Sequence, residues 1–246
     1  MGAAAFALNC AAAAAAWAEP GLANQVYAPY VKNGVTEVEV RGGRLNGGPL
    51  DGESAAVVEV EHGFNDRVSL AVLAEIEHHA GEETKLDAIA VEGVAYLGQI
   101  PGLGVDVGAY LEYEQRIHNE SGVLEGKLLL GKQIGAFQGL LNVIVGKPLT
   151  DKPGEGATEF GYAAQGTVET APGLRIGLQA FGDVGTSHHL GGRQPHYAGP
   201  VVNWETHPSW LPGELELEAA YLLPLGSARH DTDGQLRLGL EWEGRF

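Results

Sequence analysis

Residues 235–246 read QLRLGLEWEGRF, and this stretch decides the fold. Leu236, Leu238, Leu240, Trp242 and Phe246 share one parity, while Gln235, Arg237, Glu241, Glu243 and Arg245 share the other. Side chains of an extended chain alternate between two faces, so the segment is a strand with one apolar and one charged surface. Residues 214–223, ELELEAAYLL, repeat the pattern with Leu215, Leu217, Ala219, Tyr221 and Leu223 opposite Glu214, Glu216 and Glu218. A soluble barrel turns such an apolar parity inward. A membrane barrel turns it toward lipid and lines its lumen with the polar parity. Alternation alone does not separate the two arrangements.

Upstream of these strands, period-two patterning dominates from Gly34 onward and helical periodicity is scarce. Twelve strands are predicted: Thr36–Leu45, Ser54–Gly63, Val68–His78, Leu86–Leu97, Gly104–His118, Val123–Ile134, Gly139–Lys147, Thr158–Glu169, Leu174–Asp183, His196–Glu205, Glu214–Leu223 and Gln235–Phe246. Their connections alternate in character. Phe64–Arg67, Gly135–Gln138 and Thr170–Gly173 are brief, and the fourth and tenth strands are followed by tight turns containing Gly or Pro. The other set is more polar: Asn46–Glu53, His79–Lys85, Asn119–Gly122, Pro148–Ala157, Val184–Pro195 and Pro224–Gly234. Short turns at one end and mostly longer, charged loops at the other are what an outer-membrane up-and-down barrel requires. An even strand count places both termini on the periplasmic side.

Three features favour lipid outside over lipid-free water. Residues 2–18 are mostly alanine and end at Glu19-Pro20; they are too short to span a bilayer and read as the apolar region of a secretory signal. Small residues suited to signal peptidase stand at Gly21-Leu22-Ala23 and at Ala16-Trp17-Ala18. The first assigns residues 1–23 to a cleaved leader and 24–246 to the barrel. Phe64, Trp204, Trp210 and Trp242 fall near the short-turn end, as an interfacial aromatic girdle would. The terminal Phe246, preceded by alternate apolar residues, resembles the signal read by the barrel-assembly machinery.

Composition removes other classes. Among 246 residues, 32 are acidic and 15 basic, a net charge of −17 that repels nucleic acid. The single cysteine, Cys10, forms neither an intrachain disulfide nor a cysteine-based zinc site. No cofactor is expected. The 37 glycines match no phosphate-binding context and suit barrel bending, turns and close strand packing.

Several phrases, in order, resemble a proteobacterial outer-membrane transporter family associated with meta-pathway phenol degradation. They are residues 27–31 (YAPYV), 58–70 (VEVEHGFNDRVSL), 159–162 (EFGY), 180–183 (AFGD), 196–200 (HYAGP) and 233–238 (DGQLRL). The resemblance implies an outer-membrane barrel and carries no binding residues across.

The predicted lumenal parity collects Glu59, Glu61, Glu75, Glu77, Glu92, Glu112 and Glu114 from the first half of the chain. Glu159, Glu169, Glu216, Glu218, Glu241 and Glu243 follow, with Arg116, Lys127, Arg175, Arg237 and Arg245 as candidate partners. Water between such walls concentrates cations; alternatively, the groups interlock and plug a narrow barrel. Pairs such as Glu59 and Glu61 have the separation of glycosidase carboxylates, but the spacing recurs and singles out no pair. His78, His79, His188 and His189, with His118, His196 and His230 near the same end, could assemble a zinc or copper site across loops. Adjacent histidines on an extended segment point opposite ways, which favours solvated loop residues and no metal. His118 and Ser121 bring to mind outer-membrane phospholipases, but three positions of separation put them on opposite faces of a strand. The reading that results is a non-enzymatic outer-membrane pore or transporter for small solutes with a narrow acidic lumen. A plugged barrel that is structural or binds through its loops is the alternative, and a lipid hydrolase stands behind both.

Overall fold

A computed structural model describes residues 21–117, 121–150 and 156–245. The apolar region of the leader, His118 and Phe246 lie outside the described residues. The strands are β1 (Val35–Asn46), β2 (Ser54–Gly63), β3 (Val68–His78), β4 (Lys85–Ile100), β5 (Val105–Arg116), β6 (Gly122–Ile134) and β7 (Phe137–Leu149). They continue with β8 (Glu159–Ala171), β9 (Leu174–Thr186), the two-residue β10 (His189–Leu190), β11 (Pro195–Thr206), β12 (Glu214–Gly226) and β13 (Gly234–Arg245). β10 folds back on the end of β9 within a loop and takes no part in the wall.

Each of the other twelve strands pairs antiparallel with its chain neighbour, and β13 pairs with β1 from Gly234↔Asn46 to Arg245↔Val35. The sheet therefore closes into a twelve-stranded up-and-down barrel, which pairs every wall strand on both edges. The twelve predicted strands are these twelve. Several run longer than the alternation suggested: β4 extends to Ile100, β7 begins at Phe137, and β9 and β12 reach Thr186 and Gly226. The cause is continued hairpin pairing into segments rich in glycine and polar residues. Ile134 pairs with Phe137 across Gly135-Ala136, and Ala171 pairs with Leu174 across Pro172-Gly173. Gly173 holds φ +73°, the left-handed setting that follows proline in a type II turn.

The wall is polarised as a membrane barrel. Leu111 is 58% exposed while its neighbour Glu112 is 0% exposed. Val72, Val91, Leu178 and Leu238 likewise face out, and Glu75, Glu92, Lys127, Gln179 and Arg237 are buried. An apolar exterior around a charged interior is stable against hydrocarbon and unfavourable against water, because the outward residues gain their burial only from lipid. Phe64, Trp204 and Trp210 are exposed at the short-turn end, and Trp242 Nε1 donates to the Pro212 carbonyl there at 2.9 Å.

Candidate functional site: the acidic lumen

The lumen is not empty, because the chain preceding β1 folds back into it. Lys32 sits at the short-turn end beside Glu243, with which it forms an ion pair, and Gly34 N–H donates to Gly63 O at 2.7 Å. From there residues 33 to 22 climb toward the long-loop end. Tyr27 exchanges two hydrogen bonds with the Asn142 side chain, N–H to Oδ1 and Nδ2 to the Tyr27 carbonyl, each 2.8 Å. Farther up, Arg41 Nε donates to Ala23 O at 3.0 Å. Gln235 Nε2 and Arg237 Nη1 both donate to Leu22 O at 3.1 Å.

Inward-facing glycines make room for this segment. A Cβ on Gly63 would lie 2.2 Å from the Lys32 carbonyl oxygen, and one on Gly43 would lie 2.1 Å from that of Leu22. Cβ atoms on Gly108 and Gly131 would meet Pro29 at 3.1 and 2.8 Å. At Gly63 and Gly43 the segment's backbone leaves no room for a side chain, at Gly131 the Pro29 ring does the same, and at Gly108 the fit is tight.

Along β1–β6 the segment is packed into an ionic network. The Tyr27 and Tyr110 rings lie 4.7 Å apart, and Lys127 Nζ stands 4.2 and 4.1 Å from their centroids. A cation at that range is attracted by both ring faces. Lys127 also pairs with Glu125 at 3.2 Å. Tyr110 donates to Glu92 at 2.7 Å and is bonded to Glu112. Arg41 bridges Glu59 at 2.6 Å and Glu39 at 2.9 Å. Desolvated charges are tolerated only when paired and hydrogen-bonded in this way.

Toward the short-turn end the lumen is open. A cavity of about 450 Å³ reaches the short-turn end, lined by Glu37, Glu61, Glu205, Glu216, Glu218, Glu241 and Glu243. Gln138, Gln165, Asn203 and Arg175 complete the polar surface, and Tyr27, Tyr30 and Lys32 of the inserted segment form its inner wall. The inward faces of the strands change character along the axis. β12 presents Glu214, Glu216 and Glu218, then Ala220 and Leu222; β11 presents Glu205 and Asn203, then Val201. Ile144, Ala163, Phe181, Val201, Ala220 and Leu222 pack into one buried cluster with Val26 and Tyr197 against it, filling the lumen toward the long loops.

The predicted residues divide between these settings. Glu59, Glu75, Glu92, Glu112, Glu114, Lys127, Glu159 and Arg237 are buried. Glu61, Glu77, Arg116, Arg175, Glu216, Glu218 and Glu241 are half-buried. Arg116 pairs with Glu114 at 2.7 Å and Arg175 with Glu169 at 3.6 Å, whereas Arg245 is exposed at the end of β13. Sequence reasoning missed Arg41, Glu37, Glu39 and Glu125, all on the inward parity and findable by extending the alternation through the glycines. It also missed the amides Asn142, Gln179, Asn203 and Gln235, which carry no charge to mark them, and the inward apolar cluster, which has no signature in the alternation.

The histidines do not gather. His79 faces Glu77 at 3.3 Å, and His189 Nδ1 contacts the His188 carbonyl. Among the described residues, the one histidine within a converging group of three metal-capable side chains is His207, with Glu205 and Glu214 at the opposite end of the barrel. Ser121 is described, but the His118 proposed to activate it lies outside the described residues.

No family model matches the chain, and no curated protein matches it. Solved structures do. An outer membrane channel from Pseudomonas putida F1 is similar at 12% identity and TM-score 0.60, over 93% of this chain and 99% of that one. The KdgM porin is similar at 9% identity and TM-score 0.55, over 84% of this chain and 98% of the porin. The same porin in complex with disordered oligogalacturonate is similar at 8% identity and TM-score 0.54. At such low identity the shared property is the fold, that of outer-membrane β-barrels.

Proposed function

We propose that this protein is a channel of the bacterial outer membrane that admits small cationic solutes through its short-turn, periplasmic end into an acidic vestibule. The observation that carries the reading is the 450 Å³ cavity inside the wall, faced by Glu37, Glu216, Glu218, Glu241 and Glu243. Carboxylates around confined water raise local cation concentration and exclude anions. The channel and porin folds it resembles support a pore in general. An anionic sugar polymer such as the oligogalacturonate of the KdgM complex is not the solute such a lining would favour. The barrel acts without catalysis or cofactor, and Phe246 hands it to the assembly machinery. The phrases that resemble the phenol-degradation transporters support membrane location and name no substrate.

A second reading rests on the cluster around Phe181 and Leu222, which fills the lumen toward the long loops. It makes the protein a plugged barrel in its resting state. Single-channel recording of refolded protein in a planar bilayer under a salt gradient separates the two. Stepwise currents with a cation-selective reversal potential are expected for the channel. A heat-modifiable, folded barrel without current rejects it in favour of the plug.

A further inference from the structure

We infer that leader removal occurs on the amino-terminal side of Gly21, at the Ala16-Trp17-Ala18 signature, so that the mature chain keeps Leu22 and Ala23 as structural parts of its lumen. This departs from cleavage after Ala23, which the second small-residue signature also allows, and it rests on the reading of residues 2–18 as a secretory leader.

Ala23 is 0% exposed and packs with Ala55, Val57, Leu73 and Ala90, with Leu22 against the same cluster. The wall supplies three donors to these two residues: Arg41 to the Ala23 carbonyl, and Gln235 and Arg237 to the Leu22 carbonyl. Cleavage after Ala23 deletes both acceptors at once and opens a hole among four buried apolar side chains. Cleavage after Ala18 keeps them all. Gly43 argues the same way from another direction. It faces inward on β1 between Arg41 and Leu45, and a side chain there would strike the Leu22 carbonyl oxygen. The wall is thus hollowed for the segment along its whole length, from Lys32 at Gly63 through Pro29 at Gly108 and Gly131 to Leu22 at Gly43. A fit that includes Leu22 has no purpose in a chain that begins at Asn24.

The test is the intact mass and amino-terminal sequence of the protein purified from outer membranes. The expected mature chain starts at Glu19; a start later than Gly21, or an uncut chain, overturns the inference. Two variants make the result independent of a single mass. Signal peptidase needs a small residue just before the cut. Ala18→Arg is therefore expected to accumulate precursor, while Ala23→Arg is expected to be processed like the native chain and to yield less heat-modifiable barrel. The reverse pattern, with processing blocked by Ala23→Arg and normal in Ala18→Arg, rejects the proposal.

Discussion

The two sides of the lumen carry the same kind of residue and treat it differently. Across β4–β6, Glu92, Glu112, Glu114 and Glu125 are at most 2% exposed and are held by Tyr110, Arg116 and Lys127. Across β8–β13, Glu205, Glu216, Glu218 and Glu241 face a cavity. The segment touches both sides, with Tyr27 on Asn142 and Pro29 over Gly108 and Gly131 at one, and Leu22 under Gln235 and Arg237 and Lys32 beside Glu243 at the other. What differs is that Tyr110, Arg116 and Lys127 occupy the space next to the first set of carboxylates. A carboxylate count therefore does not measure how acidic a pathway is. What matters is which carboxylates retain water.

The most direct way to break the comparison is to remove the segment. Deleting residues 21–33 while keeping an intact leader is expected to raise single-channel conductance several-fold, because the packed side then joins the open one. Heat-modifiable mobility on gels verifies that the variant still folds. Unchanged conductance in a folded variant would show that current does not pass beside the segment.

The next effect concerns stability. Arg41 is 5% exposed and bridges Glu39 and Glu59 while also holding the Ala23 carbonyl. Arg41→Ala leaves those carboxylates without their guanidinium in a desolvated site, which costs roughly 3–5 kcal/mol. Urea unfolding of detergent-refolded protein should report it as a lowered midpoint. Glu218→Gln, facing the cavity, should leave the midpoint close to native. Equal losses for the two would erase the distinction between the walls.

How far the sequence reveals this follows from the physics of alternation. Parity in residues 214–223 and 235–246 fixes the two faces of the wall, and turn chemistry at residues such as Pro172-Gly173 fixes hairpin order. An up-and-down barrel follows from these, with ten, twelve or fourteen strands left open until the structure shows twelve closing through β13 and β1. The filled lumen does not follow. Leu22 and Tyr27 reach partners more than one hundred positions away, as in Tyr27 with Asn142, Ala23 packs on residues from Ala55 to Ala90, and no local period encodes such contacts. Leu222 stands on the parity of Glu214, Glu216 and Glu218 and is open to the same reading; what alternation does not show is that it meets Phe181 and Val201 across the lumen. Among the carboxylates, sequence identifies the face and leaves burial undetermined, because burial depends on where the inserted segment lies.

Selectivity then sharpens the comparison with a smaller effect. Glu216→Gln with Glu218→Gln should shift the reversal potential toward zero in a salt gradient, since the lining loses charge where water remains. Glu112→Gln with Glu114→Gln, at 0% and 1% exposure, should leave that potential where it was. Loss of cation preference in the second pair alone would move the conducting path to the side assigned here to packing.

The smallest effect tests how tightly the segment is seated. Gly126 and Gly131 lie on the same strand, β6, and face opposite ways. A Cβ on Gly126 has Tyr110 O at 3.8 Å as its nearest neighbour, ordinary contact, whereas one on Gly131 falls 2.8 Å from Pro29. Proline cannot yield by changing rotamer, so the segment itself must shift, and overpacking of this kind costs roughly 1–3 kcal/mol. Gly131→Ala should therefore lower the urea midpoint, while Gly126→Ala should leave it unchanged or raise it slightly, since alanine restricts the unfolded chain more than glycine does. If the segment were only loosely threaded through the lumen, it would move aside and both substitutions would read alike. A gap between them that vanishes once residues 21–33 are deleted would locate the strain at Pro29 and show that the wall was shaped around the segment it holds.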